Sequence, residues 1–314
     1  MTFSDTITTL AAAGGRALGS VISKLKTLKN VGYSTYTKFY EKCVCPITDY
    51  ASGIWGLKSF AKMDQLQNRA IRYYLGVHRF APIPGLVGEM GWKSPLTRWT
   101  VEVIRMWNRF IHMPNDRLNK MAFLDDYNRN SEHNWCGQVK TILDELDMTY
   151  NFVNMSHIDI NLLSEKLTVN AQDNWKLSVE AKPKLQTYRS FKTELKTENY
   201  LKANLDRYER SLVAQFRLGI LPLQIETGRY LGIPPENRIC QFCTSNNIED
   251  ETHFLFYCTN YTDERNRLSA KIQVPNFVNL TTFEKFMILF NDYPFALAQF
   301  IKIAYTKRRN QLYS

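Results

Sequence analysis

Residues 240–258 read CQFCTSNNIEDETHFLFYC. The spacing is C-x2-C-x9-H-x4-C, carried by Cys240, Cys243, His253 and Cys258. Zinc prefers four nitrogen or sulfur ligands in a tetrahedron. Two residues between Cys240 and Cys243 let both sulfurs converge from one turn. His253 and Cys258 sit at helix-compatible spacing and complete the set. Four protein ligands leave no position for water, so one structural zinc ion is expected rather than a catalytic one. The alternative is a chance cluster of buried cysteines, which are common in cores. Phe254 and Phe256 read as the small core of this module.

Outward from this stretch the pattern is helical. Residues 4–30 are rich in Ala and Leu behind Ser4 and Asp5, although Gly14, Gly15 and Gly19 weaken the pattern. Tyr36, Phe39, Tyr40, Cys43 and Ile47 recur at helical spacing over 34–57, with a kink expected from Pro46. Met63, Leu66, Ala70, Tyr73 and Tyr74 mark an amphipathic helix over 60–76. Leu96, Trp99, Val103, Met106, Trp107 and Phe110 mark another over 96–112. Between them, Pro82, Pro84, Pro95 and three glycines in 80–96 predict a loop, and 113–135 reads as polar and turn-rich. Short helices are expected at 137–150 and 158–168. Helical patterns follow at 171–205, at 206–219 and two or three times in 261–314. Strand signals are scarce. The expected fold is mainly α: a helical bundle followed by a small zinc-binding hairpin-helix module.

The 314 residues carry 40 Lys+Arg against 30 Asp+Glu, a formal charge of +10. With 44% apolar and 22% charged residues, the chain is of ordinary globular composition, which excludes wholesale disorder and collagen-like classes. The charge is uneven. Residues 1–120 are net +10, 121–175 net −6, 176–230 net +5 and 231–314 net +1. Two basic blocks thus flank an acidic stretch, and a polyanion would favour the blocks. Three regions are expected: a basic one over 1–125, an acidic-then-basic one over 126–205, and a C-terminal one over 206–314 with the zinc module at 236–268.

Six cysteines in a chain this long need not be disulfide staples. The N-terminus lacks a basic region before an apolar run, and no apolar run of about 18 residues exists. No membrane partner is expected, and an intracellular protein of nucleus or cytoplasm is the default. His133 and Cys136 stand at i, i+3 but lack further ligands nearby. His78 could bind phosphate or cap a turn.

The run FRLGILPLQIETGRYLGIPPENRICQFCTSNNIEDETHFLFYCTNYTDERNRL over 216–268 resembles the C-terminal cysteine/histidine segment of non-LTR (LINE-type) retrotransposon reverse transcriptases. Arg217-Leu218-Gly219, Glu226-Thr227-Gly228-Arg229-Tyr230, the four ligands and Arg265 carry the likeness. Upstream, YEKCVCPITDYASGIWG (40–56), NRAIRYYLGVHRFAPIPGLVGEMGW (68–92) and IRMWNRF (104–110) resemble the thumb and post-thumb region of the same polyproteins. The resemblance implies a thumb-like helical region, a linker and a CCHC module that together help hold RNA and target DNA.

Polymerase chemistry needs palm carboxylates around two metal ions. Phe123-Leu124-Asp125-Asp126 matches the family's catalytic motif literally. It follows the thumb-like region instead of preceding it, with no palm-length sequence upstream, so it reads as accidental and no enzyme is expected. The expected function is noncatalytic binding of RNA or DNA backbone. Arg16, Lys24, Lys26 and Lys29 of the first block and Lys182, Lys184, Arg189, Lys192 and Lys196 of the second are candidate phosphate contacts, because Lys and Arg neutralise phosphates without reading sequence. Arg229, Arg238, Arg265 and Arg267, around the ligands, are further candidates. The rest of a reverse-transcriptase polyprotein is a possible partner. The competing readings are a protein-interaction module, a retrotransposon remnant without function, and a reduced reverse transcriptase using Asp125 and Asp126.

Overall fold

The computed structural model describes residues 3–28, 30–129 and 131–313. The longer helices in chain order are α1 (Ser4–Lys26), α2 (Ala61–Leu75), α3 (Ile83–Met90), α4 (Pro95–Ile111), α5 (Leu118–Asn128), α6 (Trp135–Glu145), α7 (Ile160–Glu180), α8 (Arg207–Arg217), α9 (Thr262–Ser269), α10 (Thr282–Asn291) and α11 (Pro294–Tyr313). Among the described residues the only β pairing is a single antiparallel bridge between Ile239 and Ile248. The mainly α expectation therefore holds, with the hairpin reduced to its minimum. Among the described residues, no helix is long and apolar enough to cross a membrane.

The chain forms two compact units: residues 1–27, 37–70 and 93–174 in one, and 28–36, 71–92 and 175–314 in the other. Both are discontinuous along the sequence. Local charge does not report which distant segments pack together.

The first unit is organised on α4. Ser94 caps this helix by accepting from the Thr97 amide at 3.2 Å, and Pro95 occupies its first turn, where its missing N–H costs nothing. On one side of α4, Trp99 packs edge-on against Trp55 at 4.8 Å, with Ile7 and Met63 beside them. On another, Trp107 lies on Phe123 and Phe152 at 5.4 and 5.3 Å. Asn108 is a buried clamp: its Nδ2 donates to the Ile158 carbonyl at 2.7 Å and its Oδ1 accepts from the Ile158 amide at 2.9 Å. It fixes the chain two residues before α7. Asn108→Ala leaves both backbone groups of Ile158 unpaired and is expected to cost about 1–3 kcal/mol in urea unfolding. A change below about 0.5 kcal/mol would contradict the clamp.

Gly14, which weakened the prediction of α1, has a packing reason. A Cβ there would lie 2.6 Å from Thr48 Cγ2 and 2.9 Å from Leu66 Cδ2, so only glycine lets α1 approach this closely. The kink expected near Pro46 is a widened turn over Tyr40–Val44 in which the Cys45 amide bonds to the Tyr40 carbonyl. Two expectations fail. The 80–96 loop contains α3, whose Pro84 sits in the first turn. The polar 113–135 stretch contains α5, held by Phe123 in the core.

The second unit buries charge. Arg217, 1% exposed, forks onto Glu89 with Nε and Nη2 at 2.8 and 3.0 Å, and Nη2 also reaches Glu198 at 2.6 Å. Its guanidinium lies 4.8 Å from the Phe191 ring centre and 4.2 Å from that of Phe290. Lys192 pairs with the same Glu198 and donates to the Lys196 carbonyl at 2.6 Å. Two cations thus meet two carboxylates, and the cluster is neutral. α8, which carries Arg217, starts with a capping box between Asp206 and Glu209 and packs against α11.

Candidate metal centre

The bridge between Ile239 and Ile248 is bracketed by two backbone bonds. The Cys240 amide donates to the Asn247 carbonyl, and the Glu249 amide to the Arg238 carbonyl, both at 2.9 Å. Asn246 turns the chain with φ at +53°, a left-handed conformation that Asn tolerates. Cys240 and Cys243 therefore lie on one tight hairpin. Asp250 Oδ1 accepts from the His253 amide at 2.7 Å and starts a wide helical turn over His253–Tyr257. That turn closes with the Cys258 amide on the His253 carbonyl at 2.8 Å.

The ligand atoms of Cys240, Cys243, His253 and Cys258 all lie within 4.8 Å of one another. Cys240 Sγ and Cys258 Sγ are 3.8 Å apart, and Cys243 Sγ is 3.4 Å from His253 Nε2. A tetrahedral zinc ion with ordinary bond lengths requires about 3.8 Å between two sulfurs and about 3.5 Å between sulfur and nitrogen. The residues fit a four-coordinate ion of zinc's preference. Cys240, His253 and Cys258 are buried and Cys243 is half-buried. The hydrogen bond between Cys240 and Cys258, with burial added for Cys240, raises the Cys240 thiol and lowers that of Cys258. A cation bound there would compete with the protons of these thiols, since the ligands must be deprotonated. Burial holds His253 below its usual value, which favours the neutral, ligating imidazole. Its Nδ1 is buried with no partner among the described residues.

Residues outside the motif fasten the site. Glu249 is fully buried; its Oε2 accepts from the Gln224 amide at 2.7 Å. Arg308 of α11 forks onto both its oxygens at 2.8 and 2.7 Å and lies 5.0 Å from the Phe242 ring centre. Arg265 of α9 donates to the carbonyls of Leu255 and Cys258 at 3.0 and 2.7 Å. Phe254 packs on Tyr261 at 4.9 Å and on Phe300 of α11 at 5.8 Å, and Phe256 on Phe286 of α10 at 5.1 Å. Phe254 is core, as expected, whereas Phe256 is half-buried, and the core belongs to the whole unit. Neither Glu249 nor Arg308 was singled out from sequence. The only local signal was an acidic residue inside the motif, and its partner lies 59 positions away.

The candidate phosphate contacts divide. Arg16, Lys24 and Lys26 are exposed on α1, and Lys182, Lys196 and Arg267 are exposed elsewhere. Lys196 pairs with Glu194 at 2.7 Å. Arg189 is half-buried and donates to the Glu180 carbonyl at 3.0 Å; Lys184 and Arg229 are half-buried and both face Glu226. Lys192 and Arg238 are corrected: both are buried, Lys192 on Glu198 and Arg238 on the Ile233 and Ile225 carbonyls at 2.9 and 3.0 Å, so neither presents its charge to a ligand. Arg265, half-buried on its two carbonyls, is likewise a brace. Lys29 lies outside the described residues.

His78 caps a turn, its Nδ1 accepting from the Phe80 amide at 3.1 Å. Asp125 pairs with Arg129 at 2.7 Å, and Asp126 accepts from the Cys136 amide at 2.9 Å. Cys136 is buried beneath it, and burial raises its thiol. No protein-family model, curated protein or solved structure matches the chain.

Proposed function

We propose that the protein is a noncatalytic nucleic-acid-binding module of the kind found in the C-terminal part of LINE-type reverse transcriptases, with one structural zinc ion. The observation that carries the reading is the tetrahedral spacing of Cys240, Cys243, His253 and Cys258 inside the stretch that resembles that family. The ion fastens the hairpin to the turn that follows it, and exposed Lys and Arg supply the attraction to phosphate. The roles of Asp125 and Asp126 in an exposed ion pair and a backbone cap support a reading without polymerase chemistry.

Binding of a short RNA or DNA strand, followed by fluorescence anisotropy, is expected to weaken steeply as salt rises. Reversing Lys24 and Lys26 to Glu is expected to lower the slope of log affinity against log salt by about one to two. Salt-independent affinity, or none at low salt, would reject the proposal.

A further inference from the structure

The first unit contains a groove of about 560 Å³ that the basic-block argument did not single out. One wall is a row on α4: Arg98, Glu102, Arg105 and Arg109 follow one another at steps of four, three and four residues, which keeps them on one face. The row runs about 16 Å along the helix axis. Ser164 and Leu167 of α7 form the opposite wall. Lys93 ties the walls together by donating to Thr168 of α7 at 3.1 Å. Asp49, Ser52 and Gly53 form the floor. Gly53 allows this floor to sit directly on α4, since a Cβ there would lie 3.0 Å from the Glu102 carbonyl oxygen.

The groove's charges are unequally used. Arg98 is spent on Asp49 at 2.9 Å and on Gln67 at 2.9 Å. Among the described residues Arg105 pairs with Glu102 alone, in an exposed pair of the kind worth about 0–1 kcal/mol, which a stronger anion displaces. Arg109 is exposed and has no acceptor among the described residues. Lys93, Arg98, Arg105 and Arg109 face Asp49 and Glu102, a surplus of two positive charges. The Ser52 hydroxyl is buried at the floor with no hydrogen-bond partner among the described residues. A buried hydroxyl without a partner is uncommon, and this one lies at the groove floor.

We infer that this groove holds a short stretch of single-stranded nucleic-acid backbone, with Arg105 and Arg109 on successive phosphates. The inference rests on the nucleic-acid-binding reading and gives it a place and a strand type. Arginine's planar fork matches phosphate oxygens. Arg105 and Arg109 are about 6 Å apart along the axis, so one strand can place a phosphate on each. The volume lies in the range of small-ligand pockets, which suits a short single-strand segment better than a duplex. Val101, Met106 and Leu167 supply apolar surface against which sugars and base faces can rest.

The test uses the full chain, a short single-stranded oligonucleotide of mixed sequence and the corresponding duplex. Arg105→Glu combined with Arg109→Glu reverses two exposed groups and should leave the circular dichroism spectrum and melting unchanged. It is expected to weaken single-strand binding by about tenfold or more and to lower the salt slope by about two. The milder Arg109→Gln should lower that slope by about one. The intact chain should prefer the single strand to the duplex. Unchanged binding in both variants, while Lys24→Glu with Lys26→Glu still weakens it, would overturn the groove and leave the nucleic-acid reading standing. No binding by the intact chain would overturn both. Displacement of the strand by polyglutamate at equal charge would assign the groove to an acidic peptide and overturn the inference.

Discussion

Arg217→Met is expected to lower the stability of the second unit by about 3–5 kcal/mol, the usual cost of removing one partner from a buried charge cluster. Glu89 and Glu198 would remain in the interior with Lys192 alone against two carboxylates. The methionine would fill the slot between Phe191 and Phe290, so lost packing adds little and the charge effect dominates. Urea unfolding followed by circular dichroism measures it. A loss under about 1 kcal/mol would show that the cluster is neutral in the energetic sense too.

The pH dependence follows from the same residues. Burial alone would raise the Glu198 carboxyl, but Arg217 and Lys192 outweigh it and hold that carboxyl below its usual value. Its contribution is therefore complete above the ordinary carboxylate range and is lost as pH falls through the depressed value. In Arg217→Met the depression weakens. The gap between variant and parent should therefore narrow as the pH is lowered through that range, and a gap that widened would contradict the assignment.

The second large effect is expected at the metal centre. Cys258→Ser removes a buried ligand whose apparent contribution, with its three partners and the ion, is drawn from about 10–16 kcal/mol of binding free energy. The hairpin has one β-bridge, so a bound ion would add to the fastening that Glu249, Arg308 and Arg265 supply. Loss should spread beyond it, because Phe254 and Phe256 are shared with α10 and α11. Elemental analysis should find one zinc equivalent in the parent and well under one in both Cys258→Ser and Cys243→Ser. A chelator should lower the melting temperature of the parent to that of the variants. Full zinc retention by Cys243→Ser would reject the site.

The ligand set was legible in sequence because a metal fixes both residue types and spacing, and both are local. So were α1, α2, α4 and α8, whose apolar rows lie within each helix, although the cap expected from Ser4 or Asp5 is not formed: Phe3 stands at the N-cap of α1 with no side-chain bond. The rest was settled by partners far along the chain. Pro82, Pro84, Gly85 and Gly88 read as a loop, yet a Cβ at Gly85 would meet Leu218 at 2.4 Å and one at Gly88 would meet Tyr188 at 2.4 Å. Those glycines serve close packing within α3, and nothing nearby in sequence announces it. Lys192 and Arg238 read as solvated cations for the same reason. Glu198 and the carbonyls of Ile225 and Ile233 are what bring them indoors. Asp125 and Asp126 matched a catalytic motif by letters, and their surroundings are an ion pair and a helix cap.

The fork of Arg308 on Glu249 also bears on the order in which the molecule is made. All four residues that could grip the ion are in the chain once Cys258 has been added, yet the guanidinium that neutralises Glu249 is added later, with α11. Until then the growing chain has a metal grip with an uncompensated carboxylate beside it. The emerging hairpin should therefore take up its ion early and become protease-resistant late, when α11 docks.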